Sequence, residues 1–255
     1  DSIVNKGVLE ELKKRIHTFS IDSTLDANYV SEFIKDSPYS PFKTIGISEK
    51  PDAVAGKLLE GRVALFLDGS PNVITVPYLF TENFQSDEDY YLNYYFASIN
   101  RILRYIAFLF STSVPAIYVA LTTFHQEMLP LALTISISKA RQGVPFPTAI
   151  EMIMMLIVFE MLRESGARMP GSMGQALSIV GALVMGQAAV SAKIVSAPMI
   201  IIVAVTGICG VMIPRVKGAT ILLRFLFLVL ASFFGLYGYM FGALGLMIHL
   251  YSMSS

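Results

Sequence analysis

The sequence predicts an α+β soluble domain followed by an all-α polytopic membrane domain. Residues 1–101 hold 10 Lys and Arg and 15 Asp and Glu, whereas residues 102–255 hold 9 and only 4. The second part also contains long apolar runs, and a helix that crosses a bilayer needs roughly 20 mainly apolar residues. This uneven division of charge is typical of a membrane protein with one soluble domain. We expect residues 1–100 to be the C-terminal part of a cytoplasmic α+β domain and residues 101–255 to be a helical transmembrane domain.

The soluble domain alternates between helix and strand patterns. Apolar residues at helical spacing with charges on the other face predict an amphipathic first helix, and turn residues separate the later elements. The turn Asp68-Gly69-Ser70-Pro71 lies between two β-like segments, which predicts a hairpin. The expected elements are helices over 8–16, 26–34 and 52–59 and extended segments over 39–47, 62–67 and 72–79.

Three apolar runs predict the membrane domain. Ile102–Leu121 and Ile194–Ile213 are each about as long as one bilayer crossing. Ala219–Leu250 is long enough for one bent helix or for a hairpin of two short spans broken at Phe234-Gly235-Leu236. A tyrosine-rich stretch precedes the first run, as is typical of a membrane interface, and the nearby Arg101 and Arg104 predict that the soluble domain is cytoplasmic.

Ionisable residues interrupt a further apolar segment, Thr148–Arg163. A charge in such a helix is costly in lipid, so it should face other helices or water. Glu160 lies deep in the segment, and the charges that follow it fall on neighbouring helical rows. They form either an internal salt-bridge network or the lining of an aqueous path. The candidate residues are Glu160, Arg163, Glu164 and Arg168.

Glu151 is a fifth candidate for this charge network, with a local alternative. The spacing Thr148-x-x-Glu151 after Pro147 matches a capping box, in which Glu151 would cap its own helix.

Small residues recur at every fourth position in the next segment. Such a stripe lets helix backbones approach closely. It suits a subunit interface, a pore wall or ordinary packing within the chain, and its members are Gly174, Ser178, Ala182 and Gly186.

Several classes of function are disfavoured by the residues. Cys209 is the one cysteine, so no disulfide can form within the chain. His125 and Glu127 are too few ligands for a metal site. The sequence contains no nucleophile–base arrangement and no Gly-rich phosphate loop. We therefore expect no enzyme activity, no metal or other cofactor and no nucleic-acid partner. Because the chain begins at Asp1 without a signal-like segment, we also expect it to be a fragment of a longer protein.

Five ordered blocks carry a family resemblance that covers nearly the whole chain. They are 55–64 with 68–71, then 124–130, 141–147, 160–170 and 178–190, including Phe124-His125-Gln126-Glu127 and Glu160 through Arg163-Glu164-Ser165-Gly166. Together they resemble the A subunit of GerA-type spore germinant receptors. The resemblance implies a longer protein with a two-part cytoplasmic domain, a membrane domain and a short tail.

The resemblance also implies partners and an activity. The expected complex lies in the spore inner membrane and contains a permease-like B subunit, which senses the nutrient, and a lipoprotein C subunit. The A subunit is expected to form a homo-oligomer that acts as a nutrient-gated ion channel. The alternative is a non-conducting scaffold or signalling subunit of the same complex. A secondary transporter is disfavoured, because the sequence contains no internal repeat.

Overall fold

The chain divides into two compact units. The computed structural model describes residues 3–24, 26–168, 181 and 184–253. One unit comprises Asp1–Arg101 with Tyr251–Ser255, and the other comprises Ile102–Leu250.

The first unit is a small α+β fold. Its described helices and strands are α1 (Lys6–Ile16), α2 (Ala27–Ile34), β1 (Gly46–Ser48), α3 (Pro51–Leu59), β2 (Val63–Leu65) and β3 (Val73–Val76), followed by single-turn helices over Phe80–Phe84 and Asp87–Tyr90. The strands that the structure describes form an antiparallel sheet in the order β1-β3-β2, with Ile47 opposite Ile74 and Ala64 opposite Thr75. The predicted hairpin is confirmed.

The extended segment predicted over 39–47 is wrong for most of its length. Strand pairing covers only Gly46–Ser48, because the chain before it turns where the Ser40 amide donates to the Ser37 carbonyl. The apolar core of this unit joins α1 and α2 to the sheet. It is formed by Leu12, Ala27, Val30, Ile34, Ile45, Val63 and Ile74.

Asp26 connects the start of α2 to the turn between β2 and β3. One carboxylate oxygen accepts from the Ala27 amide at 2.7 Å, from Ser70 Oγ at 2.9 Å and from Asn72 Nδ2 at 3.1 Å. Hydrogen bonds to a charged carboxylate favour that form. The bonds from Asn72 and Ser70, and a further one from Asn28, therefore lower the pKa of Asp26 to about 2.

The second unit is helical over its described residues. Its helices are α4 (Tyr94–Thr123, which begins in the first unit), α5 (Leu131–Ala140), α6 (Thr148–Arg168), α7 (Ala197–Val211) and α8 (Lys217–Ser252), with a further helical segment over 184–191. Two described stretches, Tyr94–Thr123 and Pro214–Ser252, are long and apolar enough to cross a bilayer.

The apolar run Ile194–Ile213 forms a shorter helix than its length suggests. Helix α7 follows its N-cap residue Ser196 and ends at Val211, so the helix has 15 residues. At 1.5 Å per residue, a helix of this length extends for about 22 Å, which is shorter than the hydrocarbon core of a typical bilayer.

Helix α8 is a hairpin, which selects one of the two alternatives that the sequence left open. Gly235 has φ 61° and ψ −142°, values outside the helical region. A Cβ built on Gly242 would lie 2.9 Å from Phe227 Cδ1, and the rings of Phe227 and Tyr239 lie 5.7 Å apart. Residues 15 apart would be about 22 Å apart in a straight helix, so the chain must fold back at Gly235.

Two buried apolar clusters pack α4, α6, α7 and both arms of the α8 hairpin together. The first contains Val119, Met152, Leu156, Met199, Val203 and Leu228. The second contains Ala116, Ala120, Phe227 and Ala231, with Leu236 and Tyr239 packed against it. As a result of this packing, polar groups on the same helices are surrounded by apolar side chains.

Candidate functional site

Arg224 is the centre of a buried ionic cluster in the helical unit. Arg224 is a charged residue in the longest apolar run of the chain, and its side chain is 0% exposed. Its Nε donates to the Ser111 carbonyl at 2.8 Å and its Nη2 donates to Ser111 Oγ at 2.6 Å. Its Nη1 donates to Glu160 Oε1 at 2.9 Å. The guanidinium therefore joins α8 to both α4 and α6.

The Ser111 carbonyl needs a donor because of Pro115. In an α-helix each carbonyl accepts from the amide four residues later, and proline has no N–H. Pro115 lies inside α4, four residues after Ser111. An unsatisfied carbonyl is expensive in apolar surroundings, so the Arg224 Nε replaces the missing helical donor.

Glu160 lies between two arginines. Its second carboxylate oxygen pairs with Arg163 one turn later on α6, while the first accepts from Arg224. The Arg163 side chain is 15% exposed and that of Glu160 is 18% exposed. Both carboxylate oxygens are thus engaged, with two cations around one anion.

Gly210 on α7 allows a fourth helix to approach this cluster. A Cβ built there would lie 3.3 Å from Ser111 Oγ and 3.4 Å from Arg224 Nη2. Contacts of this length are tighter than ordinary van der Waals contact, so any larger residue would push against the network. We call Ser111, Glu160, Arg163 and Arg224 the arginine network.

The charged residues predicted on α6 do not form one cluster in the structure. Glu160 and Arg163 belong to the arginine network. Glu164 and Arg168 instead pair with each other at 2.9 Å, and their side chains are 54% and 79% exposed. Surface pairs of this kind contribute little to stability.

Arg224 was not among the residues predicted from the sequence. The sequence did contain a signal, which is a lone arginine within an apolar run. An ionisable residue at such a position usually has a buried partner and a functional or structural role. Its partner could not be identified from spacing, because Ser111 and Glu160 lie 113 and 64 residues away along the chain.

Glu151 forms a second buried cluster, and the predicted capping box is wrong. Its carboxylate is 0% exposed, and Oε1 accepts from the Ser196 amide at 2.6 Å and from Ser196 Oγ at 2.7 Å. Ser196 is the N-cap of α7. Glu151 therefore caps a different helix, where a negative charge is favoured by the helix dipole.

The other oxygen of Glu151 faces incompletely paired groups. Oε2 lies 3.7 Å from Arg141 Nε, beyond hydrogen-bond distance. Among the described residues, Glu151 Oε2, Arg141 Nε and the Tyr118 hydroxyl are buried atoms without a hydrogen-bond partner.

The small-residue stripe lies mostly outside the described residues. Gly174, Ser178 and Ala182 are not described. Gly186 lies in the helical segment 184–191, where a built Cβ would make an ordinary contact of 3.6 Å with Ile200 Cγ2. The stripe thus stays a prediction.

No metal-binding group emerges in the part of the chain that the structure describes. No three His, Cys, Asp or Glu side chains there are placed to hold an ion. Cys209 is a free, half-buried thiol.

The comparisons with known proteins agree with one another. A family model described as "Bacillus/Clostridium GerA spore germination protein" matches residues 1–255. The chain is 46% identical over 257 residues to the "Uncharacterized membrane protein YfkQ" of Bacillus subtilis (strain 168), covering 100% of this chain and 50% of that protein. It is also 46% identical over 255 residues to "Spore germination protein KA" of the same organism, covering 99% of this chain and 47% of that protein.

A third relative comes from another species. "Spore germination protein GerLA" of Bacillus cereus is 39% identical over 258 residues, covering 100% of this chain and 52% of that protein. The chain therefore spans about half the length of the curated relatives that it matches. No solved structure matches the chain.

Proposed function

The chain belongs to the Bacillus/Clostridium GerA spore germination family as a homologue of its A subunits, and from this premise we propose that it forms a nutrient-gated ion channel as an oligomer. The proposed assembly contains a permease-like B subunit that senses the nutrient and a lipoprotein C subunit. Its proposed location is the spore inner membrane. The arginine network is the observation on which the mechanism below is based.

The proposed membrane arrangement follows from apolar length and flanking charge. Helix α4 and the α8 hairpin lie within the bilayer, and the hairpin arms, which are shorter than the hydrocarbon core, are accommodated by local thinning of the bilayer. Exposed tyrosines lie just before α4 at 90 and 91 and in its first turn at 94 and 95, and aromatic side chains favour the membrane interface. Arg101 and Arg104 follow them and favour a cytoplasmic soluble domain.

In the proposed mechanism the arginine network is a lock for the closed state. It joins α4, α6 and α8 through one guanidinium and one carboxylate. Because both carboxylate oxygens of Glu160 are engaged within the chain, Glu160 acts as an internal partner for arginines here rather than as a free charge in a pore. Packed helices joined by such a network have discrete arrangements, which suits a gate with two states.

The nutrient signal must change the balance between these two states. A ligand shifts an equilibrium only by its difference in affinity for the two states. In this proposal, nutrient-bound B subunit contacts the A oligomer more favourably when the arginine network is open, and ions then pass between helices that include α6.

The test is cation flux from vesicles that hold the full-length A subunit with its partners. Glu160→Gln removes the carboxylate charge but keeps the side-chain shape, so we expect flux without nutrient, in contrast to wild type. The matched control is Glu164→Gln, which changes an exposed carboxylate four residues away and should keep flux dependent on nutrient.

The alternative is a non-conducting scaffold, and the same ion pairing also favours it. An arginine network can simply hold helices together. Correctly assembled complexes that pass no cations with or without nutrient, in wild type and in both variants, would exclude the channel and leave the scaffold function.

A further inference from the structure

A small polar pocket lies beside Arg141, away from the arginine network. Its volume is about 140 Å³, which is four to five times the ~30 Å³ that a water molecule occupies in the liquid. Its lining contains three hydroxyl side chains and one amide side chain, and Arg141 is its charged side chain. The lining residues are Thr122, Gln126, Leu129, Thr134, Ile137, Ser138 and Arg141.

Arg141 has unused hydrogen-bonding capacity. A guanidinium carries five N–H donors. Among the described residues, the Arg141 guanidinium donates one hydrogen bond, from Nη2 to the Phe146 carbonyl at 3.3 Å, and its Nε has no partner. By contrast, Arg224 makes three shorter bonds with three different donor nitrogens. Arg141 is thus a cation with a 24% exposed side chain, whose guanidinium makes one long hydrogen bond within the described residues and whose buried Nε makes none.

The pocket is next to a helix that suits a membrane surface. Helix α5 has no buried residue, and Leu131, Leu133 and Ile135 are exposed. Its 10 residues extend for about 15 Å, which is too short to cross a bilayer. A short helix with exposed apolar residues favours the interfacial region, where lipid phosphates lie.

We propose that this pocket binds a phosphate group, held by the Arg141 guanidinium and the Ser138 hydroxyl. Guanidinium groups bind phosphate oxygens through parallel, charge-assisted hydrogen bonds. Ser138 on α5 adds a hydroxyl donor and the Gln126 amide lines the same pocket. The hydroxyls of Thr122 and Thr134 already donate to the Tyr118 and Pro130 carbonyls. The phosphate belongs either to a phospholipid headgroup or to a free phosphate. This site does not depend on whether the oligomer conducts ions.

A bound phosphate competes with Glu151 for Arg141. At 3.7 Å the Arg141–Glu151 pair is long and incomplete, while Glu151 keeps two short bonds to Ser196. A phosphate can therefore draw Arg141 away without disrupting the cap of α7. Removing the Glu151 charge should strengthen phosphate binding, whereas removing the Arg141 charge should weaken it.

The experiment measures binding to the purified full-length A subunit in two arms. The first arm titrates inorganic phosphate in lipid-free detergent by calorimetry. The second adds phosphatidylglycerol, with diacylglycerol as the matched lipid without phosphate, and counts bound lipid by native mass spectrometry. Binding in the second arm alone identifies a headgroup, and binding of inorganic phosphate identifies a site open to free phosphate.

Opposite effects of two variants are expected. Arg141→Gln should weaken binding at least about tenfold, since hydrogen bonds to charged groups contribute enough for such a change. Glu151→Gln should strengthen phosphate binding several-fold, and misfolding cannot produce such a gain. The amide oxygen at position 151 can still accept the hydrogen bonds from Ser196. Ser138→Ala should weaken binding a few-fold, and the exposed Arg168→Gln is the matched control without effect. Equal binding by wild type and Arg141→Gln, no gain in Glu151→Gln, or no phosphate-dependent binding in either arm would overturn the proposal.

Discussion

Replacing Arg224 with methionine tests whether the arginine network stabilises the helical unit. Methionine keeps an unbranched apolar stem but removes the guanidinium. Three acceptors lose their donor: the Ser111 carbonyl, Ser111 Oγ and Glu160 Oε1. The Ser111 carbonyl has no helical substitute because of Pro115, and Glu160 keeps only Arg163.

The expected loss in the free energy of unfolding is about 4 kcal/mol. Removing one partner of a buried ion pair costs about 3–5 kcal/mol, and a buried acceptor left unsatisfied costs about 1–3 kcal/mol. The remaining Glu160–Arg163 pair and the partial exposure of Glu160 reduce the first contribution. We therefore expect a value near the middle of the range for the ion pair.

The assay is unfolding of the full-length subunit in mixed micelles, followed by circular dichroism as the denaturing detergent increases. Arg168→Met, at a side chain that is 79% exposed, should cost at most about 1 kcal/mol. Adding Pro115→Ala to Arg224→Met should restore a helical donor to Ser111 and recover about 1 kcal/mol. A loss below about 1 kcal/mol for Arg224→Met, or no difference from Arg168→Met, would refute a stabilising role for the network.

Three other predictions concern single positions. Gly235→Ala should destabilise the helical unit by at least about 2 kcal/mol in the same assay. The reason is that Gly235 has φ 61° and that a Cβ there would lie 2.8 Å from His125 Cε1. A loss below about 0.5 kcal/mol, which is the range of neutral surface changes, would contradict this prediction. Tyr239→Phe should cost about 1 kcal/mol, because the hydroxyl donates to Ser113 Oγ at 3.0 Å, and equal losses with and without Ser113→Ala would contradict that bond. The ionised form of Asp26 stabilises the fold fully above the ordinary carboxyl pKa of 3.8, and this stabilisation is lost as the pH falls to the folded-state pKa of about 2. The difference in stability between wild type and Asp26→Asn should therefore shrink as the pH falls across this range. A difference that stays constant with pH would contradict the prediction.

Much of the fold could be predicted from local patterns. Helical spacing and capping residues placed α1, α2 and α3 to within two residues, and the turn at 68–71 predicted the β2–β3 pair. The uneven distribution of charge separated the two parts of the chain. These features depend on residues close together in the sequence, where periodicity and turn chemistry act directly.

Contacts between distant residues could not be predicted in the same way. Spacing alone favoured a capping box for Glu151, but burial places its carboxylate against Ser196, 45 residues later. Glu160 and Glu164 were predicted to lie on one helical face and in one charge network, yet one is paired with a buried arginine and the other is exposed. Which charge is buried depends on how neighbouring helices pack, and hydropathy contains no information about that partner.

The local sequence was sufficient for the division into an α+β part and an apolar helical part, because charge density and apolar run length are properties of neighbouring residues. Folding alone set the partner of each buried charge and chose the hairpin at Gly235 over a single bent helix. Arg224 shows why: its place between Ser111 and Glu160 follows from desolvation, since a guanidinium in an apolar interior must find acceptors on whichever helices pack around it.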